Sequence, residues 1–408
     1  MWLQLKLAWR NIFRNKRRTT IAAIAIGIGL AAMIFTDALI IGMKQNMIAS
    51  ATSSFLGQAQ IHRDGFRDNQ EVERVIVHPD SVLQQLQHDS LVAHATPRVM
   101  ALAMLASPSD VSAISVVGVD PTTEQHLSQI DEALTEGDYF ADSTERALLI
   151  GNELADLLQV GLNDRVVLTV SEASTGALSQ EMFRVSGIFH FNVEEIDKGM
   201  AFVRIEKARD FLNLPGAAHE IALTFTNPDV ARNSNHPFFK RYSEGENEAV
   251  GWPILMPQLD AALEMSQFST YLVGIVLFSV VALGIINTLF MSLHERMFEF
   301  GVMRAVGTGS LAIARLILFE AGALAFVSIL LGMVLGLVVT LITAATGIDY
   351  SGIEFAGVTF RELLYPVMTL NQFTRFPVWV FIFTIVVGLY PAIYAARMRP
   401  ADALRRSL

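Results

Sequence analysis

The residues of this chain that could perform catalysis or bind a metal do not form a recognisable motif. The sequence contains no Gly-x-Ser-x-Gly, no His-Glu-x-x-His and no Walker A pattern, and it contains no cysteine. No two histidines have the i, i+4 spacing of a zinc-binding pair; they are His62, His78, His88, His94, His126, His190, His219, His236 and His294. We therefore predict that this chain alone is not an enzyme and binds no metal or cofactor.

A short charged segment between two long apolar runs has the pattern of a docking helix. Residues 294–319, HERMFEFGVMRAVGTGSLAIARLILF, place charged side chains between apolar ones at helical spacing. We predict that Gly301, Gly307 and Gly309 break this helix before the next run. A soluble partner could bury the apolar side of such a helix, pair with its charges and push on both neighbouring membrane spans.

The composition indicates the elements that hold this segment. Of the 408 residues, 52% are apolar and only 17% are charged, which is typical of an integral membrane protein with a large soluble part. A hydrocarbon core of about 30 Å needs roughly 20 helical residues. Four apolar runs are long enough: 21–43, 271–293, 316–345 and 378–396. The predicted fold class is thus an integral membrane α-helical protein with four transmembrane helices in a 1+3 layout.

Basic residues predict the orientation of the spans. Segment 1–20 is amphipathic and carries Lys6, Arg10 and Arg14 among its cations, without an acidic residue. Arginines also follow the last span, in segment 397–408. The positive-inside rule then places both termini and segment 294–315 in the cytoplasm, and segments 44–270 and 346–377 outside it. We interpret segment 1–20 as an interfacial helix.

The large external segment, 44–270, predicts a mixed α/β domain. Runs rich in β-branched residues predict strands at 59–62, 72–77, 112–119, 166–170, 183–190, 201–204 and 220–225. Helices are predicted at 81–87, 152–159 and 205–212, a loop at 227–247, and helical stalks at 44–55 and 259–269. The aromatic-rich segment 346–377 fits either an interfacial segment or a lipid-facing gate.

Three polar residues within the spans are candidate functional positions, because burial of an ionisable or amide side chain in lipid is costly. They are Asp37, Asn287 and Glu320. Asp37 and Glu320 fit a contact with interface water or a neighbouring helix; the alternative is a polar contact across a subunit interface or a coupling relay. Gly332 and Gly336 match the small-xxx-small pattern and predict close helix packing, within the subunit or across a dimer.

Five stretches, in order along the chain, resemble one family. They are NIFRNKRR, GNELADLLQVGLNDRVVL, FRVSGIF, ERMFEFGVMRAVG and YPAIYAARMRPADALR. The chain resembles the permeases of FtsX-like/MacB-type (type VII) ABC transporters, and within them the LolC/LolE lipoprotein-releasing branch. The resemblance implies a bacterial inner-membrane permease with a MacB-like periplasmic domain. It also implies mechanotransmission, in which ATP-driven closure of the ATPases moves the external domain.

The resemblance also implies partners and site residues. Two separate ATPase subunits bind the ATP and magnesium, and a second permease copy or a homologous permease completes the transporter. Membrane lipid, a lipoprotein substrate and a periplasmic chaperone are further expected partners; nucleic acid is not. The residues expected to couple to the ATPase are Glu295, Arg296, Glu299, Phe300, Gly301, Arg304, Ala305 and Gly307. The alternatives are a MacB-like efflux or peptide-export permease with a periplasmic adaptor, and an FtsX-like regulator of a cell-wall hydrolase that transports nothing.

Overall fold

The computed structural model describes residues 2–14, 16–140, 146–173, 175–191, 193–350, 354–355, 358–359 and 363–397. They divide into two compact units. The first comprises Met1–Asn46, Leu263–Tyr350 and Glu362–Leu408, and the second comprises Met47–Ala262 and Ser351–Arg361. The predicted tail 397–408 lies outside the described residues apart from Arg397.

The helices, numbered in chain order, are α1 (Trp2–Arg14), α2 (Lys16–Ala51), α3 (Phe66–Asn69), α4 (Pro79–His88), α5 (Pro121–Glu124), α6 (Asn152–Leu158), α7 (Glu194–Gly199), α8 (Ile205–Leu212), α9 (Asp229–Arg232), α10 (Pro237–Tyr242), α11 (Trp252–Leu255), α12 (Pro257–Glu295), α13 (Met297–Ala305), α14 (Ser310–Thr346) and α15 (Leu370–Ala396). A π-helical turn, Thr52–Leu56, follows α2.

The strands are β1 (Ala59–Arg63), β2 (Val92–Ala106), β3 (Val111–Val119), β4 (Leu134–Gly137), β5 (Ala147–Gly151), β6 (Arg165–Ser171), β7 (Leu178–Phe189), β8 (Met200–Arg204), β9 (Glu220–Phe225), β10 (Asn247–Gly251), β11 (Glu354–Phe355) and β12 (Val358–Thr359).

Four of the described helices, α2, α12, α14 and α15, are long and apolar enough to cross a membrane. Together with the large mixed α/β unit between the first and second of them, they confirm the predicted fold class. α2 has 36 residues and α12 has 39. At 1.5 Å per residue these helices are about 54 and 58 Å long. Both therefore extend well beyond a hydrocarbon core of about 30 Å.

Small residues allow α2 and α14 to pack closely in the first unit. A Cβ atom added at Gly332 would lie 2.8 Å from the carbonyl oxygen of Gly27 and 2.9 Å from the Cβ of Leu30. A Cβ at Gly336 would lie 3.2 Å from the Cβ of Ile34. Leu30 and Ile34 are fully buried at this contact. The sequence left open whether Gly332 and Gly336 pack within the subunit or across a dimer. In the structure they pack against α2 of the same subunit.

The second unit is built on a ten-stranded mixed sheet in the described residues, with strand order β10-β1-β9-β2-β3-β8-β5-β7-β4 and with β6 pairing both β2 and β7. β3 pairs with β8, and β5 with β7, in parallel; the other pairs are antiparallel. Helices α6 and α8 cover one apolar core, which includes Leu154, Leu158 and Phe211. A second core contains Phe55, Phe189 and Phe202.

Two predictions for this domain were wrong, and one long strand was missed. Segment 72–77 is not a strand, because a turn forms there: the Arg74 N–H donates to the Glu71 carbonyl and the two side chains form an ion pair. Strand β2 was not predicted, since its sequence is rich in alanine, methionine and leucine and contains Pro97. The predicted loop 227–247 contains α9 and α10.

Only part of segment 346–377 is described. β11 and β12 form a two-stranded sheet, and Ile348 pairs with Leu364 in an isolated bridge. Helix α15 begins at Leu370, eight residues before the predicted span, because Thr369 and Gln372 form a capping box there. Residues 370–377, at the end of this segment, therefore belong to helix α15.

Candidate functional site

The predicted docking segment forms the separate short helix α13, which lies between two of the long apolar helices. α12 ends at Glu295 and α14 starts at Ser310. The prediction of a break at Gly301 was wrong: this glycine lies inside α13 and is buried. The helix ends at Ala305, and Gly307 then adopts a φ of +100°, a conformation that glycine tolerates.

Helix α13 has a buried side and an exposed side. Arg296, which caps it, Phe300 and Gly301 are buried. The apolar side chains of Phe298 and Val302 are exposed one turn apart, and the following Val306 is 82% exposed. An apolar stripe in this position was not among the predicted coupling residues, although the i, i+4, i+8 spacing of these three residues is visible in the sequence.

The predicted coupling residues fall into three groups by exposure. Glu295, Ala305 and Gly307 are exposed; Glu299 and Arg304 are half-buried; Arg296, Phe300 and Gly301 are buried. Arg304 donates through Nη1 to the Ser310 hydroxyl at 2.9 Å. The coupling role of all eight stays a prediction. For the buried residues, such a role would consist of holding α13 in place rather than of touching a partner.

A network of charged and polar side chains holds α13 against its neighbours within the first unit. Arg296 donates through Nε to Glu299 Oε2 at 2.9 Å and through Nη1 to Glu320 Oε1 on α14. Helix α1 contributes two more donors: Asn11 Nδ2 lies 2.7 Å from Glu320 Oε1, and Arg14 Nη1 lies 2.9 Å from Glu299 Oε1. The predicted site residues Arg296, Glu299 and Glu320 therefore lie in one cluster.

The electrostatics of this network favour its ionised form. Burial alone would lower the pKa of the Arg296 guanidinium, but Glu320 and Glu299 together raise it. Burial would likewise raise the pKa of Glu299, but hydrogen bonds from Arg296 and Arg14 lower it. Both groups are charged at neutral pH. The network therefore joins α13 to α1 and α14 through charge-assisted hydrogen bonds.

The other two intramembrane polar residues have different surroundings. Asp37 Oδ2 accepts a hydrogen bond from Gln372 Nε2 of α15 at 3.0 Å. The Gln372 Oε1 accepts the Thr369 N–H at 3.0 Å, so the same side chain caps α15 and binds α2. Asn287, by contrast, is exposed on α12. Asp37 and Glu320 thus contact neighbouring helices of the same unit.

A pocket of about 440 Å³ lies between α2, α12 and α15. Asp37, Lys44 and Arg375 contribute charged groups to its lining, while Phe278 and Trp379 contribute aromatic rings. The remaining lining includes the apolar side chains of Met33, Ile40, Ile41 and Ile275 and two further aromatic rings, Tyr271 and Phe376. Such a combination of cations and apolar walls suits an amphiphile with an anionic or polar head and acyl chains.

A buried ion cluster that the sequence did not predict lies in the second unit. Arg98 on β2 is fully buried and forms a bidentate pair with Glu124, with Nε–Oε2 3.0 Å and Nη2–Oε1 2.6 Å. Its Nη1 donates to Glu220 at 2.6 Å and its Nη2 to the Phe55 carbonyl at 2.6 Å. His62 donates to the other Glu220 oxygen at 3.3 Å. The cluster therefore fixes the π-helical turn after α2 to the sheet.

Burial would lower the pKa of Arg98, but Glu124 and Glu220 raise it. Burial would raise the pKa of Glu220, but Arg98 and His62 lower it. The guanidinium and this carboxylate are thus kept charged in the interior of the domain. A single arginine in a mostly apolar strand is the sequence signal for this cluster.

Comparison with known proteins agrees with this architecture. Residues 19–232 match the MacB-like periplasmic core domain, and residues 271–400 match the FtsX-like permease C-terminal domain. The chain is 22% identical over 98% of both chains to the lipoprotein-releasing system transmembrane protein LolE of Haemophilus influenzae. It is 25% identical to LolC of Xylella fastidiosa over 78% of both chains. A macrolide export ATP-binding/permease protein MacB of Yersinia pestis is 22% identical over 98% of this chain and 60% of its own length.

Four membrane-spanning helices, a large mixed α/β domain after the first of them and a short helix between the second and third define a multi-pass inner-membrane permease of the ABC transporter class. The chain belongs to the FtsX-like permeases that carry a MacB-like periplasmic core domain, and it is of the LolC/LolE/MacB type.

Proposed function

We propose that this permease extracts lipoproteins or similar lipidic substrates from the outer leaflet of the inner membrane, driven by separate ATPase subunits that bind ATP and magnesium. Closure of two ATPases moves α13, and the connected helices carry this motion to the external domain. The observation that carries the proposal is α13 itself, a short helix with an exposed apolar stripe, a buried ion pair to α14 and hydrogen bonds from α1.

The exposed stripe is the proposed docking surface for the ATPase. Phe298 and Val302 offer apolar contact area on α13, and Val306 continues this surface directly after the helix ends. Glu295, the exposed last residue of α12, precedes Phe298 by three residues and supplies a charge. A helix that inserts apolar anchors into a groove of its partner uses this i, i+4 arrangement. The docked partner would then exert force on α1 and α14 through Arg296 and Glu299.

The pocket between α2, α12 and α15 is the proposed substrate site. Its aliphatic and aromatic walls fit acyl chains, and Lys44 and Arg375 fit a polar or anionic head. Similarity to LolE and LolC, which are named for lipoprotein release, supports a lipoprotein as the substrate. A periplasmic chaperone that receives it and a second permease copy or homologue are part of the same proposal.

The docking proposal is tested by Phe298→Asp and Val302→Asp, with Leu178→Asp, at an exposed residue of the external domain, as the control. Each variant is purified from its native membrane in mild detergent, and its co-purifying proteins are identified by mass spectrometry. We expect the wild type and Leu178→Asp to retain an ATPase and the α13 variants to lose it. No ATPase on the wild type, or full retention by both α13 variants, would contradict the proposal.

The substrate proposal is tested in the same preparations. Gly274 lines the pocket and Gly284 does not; an added Cβ meets nothing within 4 Å at either position, so Gly284→Phe is a matched control for Gly274→Phe. We expect Gly274→Phe to keep the ATPase and lose co-purifying triacylated lipoprotein. Equal lipoprotein on both variants would exclude this pocket as the substrate site.

The similarity to MacB supports one second candidate, an efflux or peptide-export permease. In that case the wild-type preparation would contain an ATPase and a periplasmic adaptor, but no acylated protein.

A further inference from the structure

A second apolar groove lies in the first unit, between α14 and α15, and α1 covers one end of it. Its volume is about 820 Å³, and its lining is almost entirely apolar. Gly322 and Ala323 form part of the lining, with Phe326 and Phe381 beside them. This groove shares no lining residue with the pocket between α2, α12 and α15.

The groove has the length of one lipid leaflet. It extends along α14 from Leu318 to Phe326, which is about 12 Å at 1.5 Å per residue. One leaflet, which is half of a hydrocarbon core of about 30 Å, is only slightly longer than this groove. An acyl chain of the leaflet that borders α1 therefore fits along the groove, whereas a water-soluble ligand would find almost no polar group there.

Among the described side chains that line the groove, those with polar atoms come from α1, and one of them is charged. Lys6 and Trp9 line its end, and Lys6 is exposed. Arg10, also exposed, follows one helical turn after Lys6, and α1 contains no acidic residue. Tryptophan and lysine at the end of an apolar site are typical of headgroup depth in a membrane. The charge at this end is complementary to a phosphate that carries a net negative charge.

We propose that this groove binds one anionic glycerophospholipid, with an acyl chain against Gly322 and Phe326 and the headgroup phosphate at Lys6. The lipid is a resident component and not the transported substrate. α1 also donates hydrogen bonds from Asn11 to Glu320 and from Arg14 to Glu299. A lipid that holds α1 on α14 therefore also supports the network that positions α13. The proposal requires only that the chain is membrane-inserted, and it holds whether or not lipoprotein is the substrate.

The test uses the purified full-length chain, titrated in detergent with equimolar 1-palmitoyl-2-oleoyl phosphatidylglycerol and phosphatidylcholine and analysed by native mass spectrometry. We expect one phosphatidylglycerol to be retained with about a fivefold preference, the size expected for one basic residue at a membrane surface. Lys6→Gln should abolish the preference, while Lys16→Gln, at another exposed lysine outside the groove, should keep it.

A second pair of variants tests the acyl-chain site. Gly322→Leu should remove the retained lipid by filling the groove, whereas Val334→Phe, a similar enlargement at an exposed position of α14, should leave it bound. No preference in the wild type, equal losses in Lys6→Gln and Lys16→Gln, or an unchanged lipid in Gly322→Leu would each overturn the proposal. Because Lys6 is exposed, its substitution tests the headgroup contact even if Gly322→Leu fails to fold.

Discussion

The Arg296 guanidinium is largely shielded from solvent, so its charge depends on the carboxylates around it. The side chains of Arg296 and Glu320 are each only 8% exposed. Glu320→Ala would leave the buried guanidinium with Glu299 as its remaining carboxylate, and removing one partner of a buried pair costs about 3–5 kcal/mol. Replacing both partners, as in Arg296→Met with Glu320→Leu, should cost much less, because no uncompensated charge stays buried.

Thermal unfolding of the two variants in detergent, relative to wild type, measures this difference. The control is Arg17→Met, at an exposed position of α2. If the double variant loses more stability than Glu320→Ala, the network is not held together by the charge pair.

A buried histidine makes the mixed α/β domain sensitive to acid. His219 accepts the Met100 N–H at Nδ1 and donates from Nε2 to the Val72 carbonyl, and burial lowers its pKa from the usual 6.5. The unfolded chain therefore binds a proton at a higher pH than the folded domain does. The stability that neutral His219 contributes to the folded domain is fully present above about pH 6.5, and it is lost as the pH falls through the folded-state pKa.

We expect the unfolding temperature of the full chain to decrease between pH 7 and pH 5, and His219→Asn to show a smaller decrease. Circular dichroism at each pH measures both slopes. Glu220, whose pKa is also lowered, contributes in the same direction but at lower pH, near and below its usual value of 4.5. Identical slopes in the two proteins would show that His219 is not the responsible group.

Sequence reasoning identified the charges of the candidate site but not their individual environments. Arg296, Glu299 and Glu320 were all selected from their positions in or beside apolar runs. Whether each one is buried depends on α1, since Asn11 meets Glu320 across 309 positions of the chain. The Arg98 cluster was missed for the same reason: its partners come from α5, β9 and the turn after α2. No local pattern specifies such contacts.

At the scale of elements, local composition predicted the helices and strands whose own residues favour that conformation. The β-branched runs of β3, β6 and β9 were recognised, and so were the long apolar helices. β2 was missed because its composition does not favour a strand; it forms because β3, β6 and β9 all pair with it. Non-local pairing overrides local preference in a central strand.

The close contact between α2 and α14 leads to a prediction at the same scale. Gly332→Leu would place side-chain atoms where the Gly27 carbonyl and Leu30 already lie. We expect the variant to lose about 1–3 kcal/mol of stability through overpacking. The matched control is Gly284→Leu on α12, because an added Cβ there meets nothing within 4 Å. Unfolding curves of the two variants in detergent measure the loss of stability in each. Equal losses would contradict a tight α2–α14 contact.

For the whole molecule, hydropathy was sufficient to predict four spans and a large domain after the first, because the bilayer requires long apolar helices. The helices themselves extend further than the apolar runs, since polar stretches such as 257–270 continue the helical hydrogen bonding beyond the hydrocarbon. Apolar length therefore located the spans, and the helical stalks predicted at 44–55 and 259–269 coincide with the extensions of α2 and α12.

The orientation of the whole chain stays a prediction from the positive-inside rule, and the absence of cysteine from the sequence makes it directly measurable. Single cysteines at Gln87, exposed on α4, and at Lys16, exposed at the start of α2, are the two probes. We expect a membrane-impermeant maleimide to label Gln87→Cys in intact spheroplasts, and Lys16→Cys only after the membrane is permeabilised. Basic residues at the start of a span are retained on the cytoplasmic side of the membrane. Only one span, α2, separates Lys16 from Gln87, so the two probes are expected on opposite sides. Labelling of Lys16→Cys in intact cells would reverse the orientation, and α13 would then be on the wrong side to meet a cytoplasmic ATPase.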